Sequence, residues 1–151
     1  MTAYKKQTLE IPSDWEIRRN EFYDIDPIDD ISDDDKLTNI YIQEDMLLLE
    51  KGNYLLDLGW YGSDNLNNQT TGYMLVFFRG ENWNNCELLE LIRTQSKNII
   101  VESINEILKA ATEGFYEDKS GYRIDENNEE YRFIGQHYRY SVKNNLNELV
   151  K

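Results

Sequence analysis

The chain has 151 residues and a mass of 18.0 kDa, enough to bury a substantial core as one domain over residues 1–151. Its 29 acidic against 16 basic residues give a formal net charge of -13, the wrong sign for a surface that binds nucleic-acid phosphates. Forty per cent hydrophobic residues, with 11 Tyr, 5 Phe and 3 Trp, exclude a disordered chain.

The single cysteine, Cys86, rules out an intramolecular disulfide framework, and a reducing cytosol is the expected compartment. The N-terminal residues carry Lys5 and Lys6 but no apolar stretch behind them, so neither an export signal nor a membrane anchor is expected. Charge is concentrated early: residues 1–62 hold 15 acids and 6 bases. The densest part is Asp24 to Asp35, with seven aspartates in twelve residues: Asp24, Asp26, Asp29, Asp30, Asp33, Asp34 and Asp35. A calcium loop wants glycine at its sharp turn and a long carboxylate at its end, and this segment has neither. A solvated acidic loop remains an ordinary alternative. A protein-binding patch is the favoured one, because Ile25, Ile28 and Ile31 recur every third residue and offer an apolar side to pin the charged side in place.

Met46 to Glu50 and Tyr54 to Tyr61, separated by Lys51-Gly52-Asn53, predict a hairpin. Residues 62–71 form a polar loop containing Asp64, and Tyr61 beside it is a candidate aromatic contact. Gly72 to Arg79 is apolar on both faces and reads as a central strand. Trp60 and Trp83 are expected to be mainly buried, and Cys86 to be a buried thiol. Between 97 and 111, Ile100, Ile104, Ile107, Leu108 and Ala111 fall on one helical stripe, with Ser96 as N-cap and Gly114 as stop. The helix covers one sheet face, so the other needs the N-terminal segment or the tail. Residues 131–134 and 138–142 read as short strands, and 143–151 as a short terminal helix. The expected fold is α+β: an antiparallel sheet of three or more strands with a packed amphipathic helix.

No catalytic signature is present. His137 is the only histidine, no nucleophile elbow or phosphate-binding glycine loop occurs, and Cys86 would serve as a nucleophile only beside His137. Paired carboxylates such as Asp24 and Asp26 are the remaining route to an enzyme. The expectation is a non-enzyme without cofactor or metal.

Five segments then bear on a family: Asp14-Trp15-Glu16-Ile17, Asn20 to Pro27, Leu56-Asp-Leu-Gly-Trp-Tyr61, Gly72 to Phe78, and Asn82-Trp83. Together, over residues 12–111, they resemble small cytosolic immunity proteins that neutralise bacterial polymorphic toxins, including those of contact-dependent growth inhibition. The chain departs from the pattern at Gly62, where a proline often follows the Trp-Tyr pair, and after Trp83, where no proline follows. Residues beyond Gly114 lie outside the resemblance.

The resemblance implies a cytoplasmic inhibitor that occludes a cognate, basic toxin domain, possibly a nuclease, with monomer the favoured state. The acidic charge fits such a partner. Asp24, Asp26, Asp29, Asp30, Asp33, Asp34, Asp35, Tyr61 and Asp64 are the expected partner-binding residues. An acidic secretion chaperone, a dimer holding an extended effector segment, is the alternative.

Overall fold

The computed structural model describes residues 4–30, 42–62, 66–82, 85–125, 135–136 and 138–143. Trp83, His137, Ile31, residues 131–134 and most of the expected terminal helix lie outside them.

The described residues form one antiparallel sheet of seven strands and one helix. In chain order these are β1 (Glu16–Asn20), β2 (Leu47–Lys51), β3 (Tyr54–Tyr61), β4 (Gly72–Asn82), β5 (Asn85–Thr94), α1 (Lys97–Thr112), β6 (Tyr122–Asp125) and β7 (Arg139–Ser141). Strands β1 to β6 lie in sequence order, and β7 pairs with β5 beyond the end of β6. The expected hairpin is β2–β3, closed by the two-residue turn Gly52-Asn53, where Gly52 takes φ +58. A positive φ at the first turn position matches the twist of the paired strands, and glycine adopts it without a Cβ penalty.

Strand alternation sorts the side chains into two faces. Leu49, Leu56 and Phe77 form one cross-strand row, and Leu47, Leu58, Leu75 and Ile92 form the next, all buried. Helix α1 lays Ile100, Ile104, Ile107, Leu108 and Ala111 on this face. Ser96 caps it as expected, its Oγ accepting from the Ile99 amide at 3.3 Å, and Gly114 beyond its end takes φ +81.

The N-terminal segment shares this face instead of covering the opposite one. Trp15 packs against Phe77 and Phe22 against Tyr73, while Trp15 Nε1 donates to Thr112 Oγ1 at 3.3 Å and the Glu10 amide donates to Asn105 Oδ1 at 2.9 Å. A single 16-residue helix is too narrow to cover the whole sheet, so Trp15 and Phe22, on either side of β1, fill the space beside it. On the opposite face Tyr140 stands across from Leu91 and meets Tyr122 edge-on; the expected 138–142 strand is present as β7, which extends the sheet beside β5.

Candidate protein-binding surface

The acidic segment begins in a built turn. Asp26 precedes Pro27, and its Oδ1 accepts from the amides of Ile28 (2.8 Å) and Asp29 (3.3 Å). In return Asp30 Oδ2 accepts from the Asp26 amide at 2.6 Å. This reciprocal capping, with proline supplying a fixed φ after the cap, holds three of the aspartates in one geometry. Asp24 is committed differently: its carboxylate takes a hydrogen bond from the buried Lys97 ammonium, which together with the Lys97 charge holds the Asp24 carboxyl below the usual range. Asp29 is exposed and its carboxylate has no hydrogen bond among the described residues.

Of the two isoleucines that are described, the apolar-side argument holds at one. Ile25 is 1% exposed, whereas Ile28 is 52% exposed. A three-residue repeat aligns side chains in a helix, but Tyr23 bridges Lys6, the Asp24 amide donates to the Lys5 carbonyl, and the turn starts only at Asp26. Asp33, Asp34, Asp35 and Asp64 lie outside the described residues.

Tyr61 ends β3 opposite Gly72, the first residue of β4. The Tyr73 hydroxyl, next along β4, lies in the field of Asp26, so Tyr61 and the acidic turn belong to the same end of the sheet, on opposite faces. Tyr61 is half-buried, its ring lying over Gly59, where an added Cβ would come within 2.9 Å of it. The neighbouring loop is tied down. Buried Arg93 donates to the carbonyls of Gly72 (3.1 Å), Tyr73 (3.0 Å) and Thr70, and Gln95 donates to those of Leu66 (2.8 Å) and Thr71 (3.0 Å). Burial lowers the Arg93 guanidinium to about 10, which leaves it charged at neutral pH.

Two carboxylates escaped the sequence reading. Glu90 is buried on the helix-covered face of β5 and accepts from Tyr116 Oη (2.8 Å) and Ser141 Oγ (2.9 Å). Desolvation pushes its carboxyl up, against those two bonds. Asp57 stands on the other face between Leu48 and Val76, half-buried, and burial followed by the nearby Asp45 charge pushes its carboxyl up to about 7. The signal was an acid interrupting an apolar run, Leu56-Asp57-Leu58 and Leu89-Glu90-Leu91.

Asp29 and Asp30 are exposed and make this surface anionic. Among the described residues no cluster of three or more His, Cys, Asp or Glu is placed to hold a metal ion. Asp24 and Asp26 are engaged separately, one accepting from Lys97 and the other capping backbone amides. Cys86 is buried, with its thiol raised by desolvation, as expected of a structural cysteine. Trp60 is likewise buried. Among the described residues no helix is long and apolar enough to cross a membrane. Compared with known proteins, the chain matches no family model, no curated protein and no solved structure.

Proposed function

We propose that this α+β chain is a cytoplasmic, non-enzymatic immunity protein that binds one cognate toxin domain and blocks its active cleft or its approach to substrate. The observation that carries the reading is the capped acidic turn, Asp26 to Asp30, which holds carboxylates on the surface of a chain with net charge -13. Fixed charge steers a basic partner into a fast encounter without the entropy cost of ordering a loose segment. Such a partner is a toxin whose own substrate is anionic.

Tyr61 and the tethered 66–71 loop, at the same end of the sheet, supply contacts that charge alone lacks. Apolar and aromatic anchors set the lifetime of a complex and separate one cognate pair from similarly charged pairs. The test is co-expression with the toxin domain encoded beside this chain. Growth should be rescued, and the purified pair should co-elute as a complex with one copy of this chain. Failure of both would reject the immunity reading in favour of the acidic chaperone, which light scattering should then find as a stable dimer.

A further inference from the structure

At the opposite end of the sheet from the acidic turn, the β2–β3 turn and the facing ends of β4 and β5 line a pocket of about 220 Å³. Cross-strand register explains its shape. Glu50 faces Leu55, Leu55 faces Phe78, and Gly80, two residues on, faces Cys86, which puts all five on one side of the sheet. Gly80 leaves the hollow open, since a Cβ there would come within 2.7 Å of Cys86 Cβ. The floor is apolar, from Leu55, Phe78 and Cys86, and the polar lining residues are Glu50, Asn53, Glu81 and Asn82.

We propose that this pocket receives an arginine side chain of the basic partner, an assignment that rests on the immunity reading above. Sign excludes an anion: among the described residues two carboxylates and no cation line the pocket. Glu50 is shared with Arg18 at 3.0 Å, but Glu81 is exposed and forms no ion pair among the described residues. A wholly apolar side chain would fill the floor yet desolvate Glu81 without compensation. A long side chain with an apolar stem and a cationic head satisfies both layers. Polar residues on both sides of the rim, Glu81, Asn53 and Asn82, suit the planar five-donor guanidinium better than a compact ammonium. Eight residues of β4 separate this pocket from the Gly72 end, roughly 26 Å at strand rise, so the contact is separate from the acidic turn.

Titrating the isotope-labelled full chain with N-acetyl-arginine methylamide tests the pocket without any toxin. Saturable amide shifts confined to residues 50–55 and 78–86, with affinity of about millimolar, are expected, and Glu81→Gln should weaken them severalfold while leaving the circular dichroism spectrum unchanged. Equal shifts with the citrulline analogue would overturn cation recognition. Equal affinity for the lysine analogue would overturn the arginine assignment, and the absence of localised shifts would overturn the pocket altogether. In the complex with the adjacent toxin domain, Glu81→Arg should weaken binding about tenfold or more. Undiminished affinity there overturns the pocket and leaves the immunity reading standing. Loss of complex with the unaltered chain overturns the reading, and the titration still decides the pocket.

Discussion

The Asp24 carboxylate accepts from the Lys97 ammonium across 73 residues of sequence, joining the first acid of the aspartate-rich segment to the first residue of helix α1. Lys97 also donates to Gln7 Oε1 at 2.8 Å. A cation at a helix N-terminus opposes the helix dipole, and α1 has no acid of its own in its first turn, so Asp24 supplies the missing countercharge. The two sides of the pair differ in exposure, 11% for the Lys97 side chain and 48% for Asp24. Asp24→Asn leaves a buried ammonium facing the positive helix end and should destabilise by about 1 kcal/mol. Lys97→Met leaves only a carboxylate that water can solvate, and should cost less than about 0.5 kcal/mol. Urea unfolding of both variants checks the order; the reverse order would show that the lysine, not the aspartate, carries the contact. The folded Asp24 pKa is depressed, so its contribution is present above the unfolded value and is lost as pH falls through the folded one.

Asp57 gives the opposite pH dependence. Its carboxyl is raised from 3.8 to about 7, and the charged groups that act on it are Asp45, which raises it, and Arg19, which lowers it. Between those two values the folded state binds more protons than the unfolded state, so stability falls as pH rises through the window and levels off above it. Asp57→Asn should remove that slope and gain on the order of 2 kcal/mol at pH 8. Unfolding free energies of the two proteins between pH 4 and 8 test this. Parallel curves would mean that Asp57 is ionised in the folded chain throughout.

Glu90 is held by two hydroxyls, and each would be orphaned in the core without it. Glu90→Ala should cost about 3 kcal/mol or more, because Tyr116 and Ser141 both lose their acceptor and a cavity opens. Glu90→Gln keeps one carbonyl oxygen for those hydroxyls and removes the desolvated charge, so it should cost less than about 1.5 kcal/mol. Denaturant unfolding at neutral pH gives both values. Equal losses would show that charge, not hydrogen bonding, matters at this position.

Helix α1 was legible because one face of it meets one sheet face, which prints a 3.6-residue stripe into the sequence. Strand β5 was not. Its Cys86-Glu-Leu-Leu-Glu-Leu-Ile92 run breaks the two-residue alternation where Phe77 and Phe78 pair with Glu90 and Leu88, leaving Leu89 as the extra residue of a bulge. Strand β1 escaped for another reason: it is an edge strand, exposed over Glu16 to Arg19, so burial prints no pattern on it. At the candidate surface, the density of aspartates was plain, but their roles were not. The capping by Asp26 is local and readable from Asp-Pro-Ile-Asp-Asp. The Lys97 partner of Asp24 depends on how the N-terminal segment crosses the helix, which no local spacing records.

Ile104 tests the packing of α1 directly. It is fully buried on the sheet-facing stripe, and Ile104→Asp places an unpaired carboxylate among apolar side chains. The expected loss, more than about 4 kcal/mol, takes away most of the stability of a domain at the lower end of the ordinary range and should lower the melting temperature sharply. Unaltered melting followed by circular dichroism would show that the helix does not pack there.

The last prediction separates steering from folding in the acidic segment. Changing Asp29, Asp30, Asp33, Asp34 and Asp35 to asparagine removes five charges, while Asp24 and Asp26, which hold Lys97 and the turn, remain. The Asp30→Asn change retains a side-chain oxygen for the Asp26 amide, so the turn should persist and the melting temperature should move little. Association with the cognate toxin domain should slow by about tenfold or more at low ionic strength, because charge complementarity raises encounter rates well above the neutral value. The rate should also lose most of its salt dependence, since fewer charges are left for salt to screen. Dissociation should change less, because apolar and aromatic contacts govern the lifetime of the complex. Stopped-flow association at several salt concentrations resolves the two rates. An unchanged association rate at low salt would reduce the segment to a solubility device and would move the electrostatic contact elsewhere, with the Glu81 rim next to be tested.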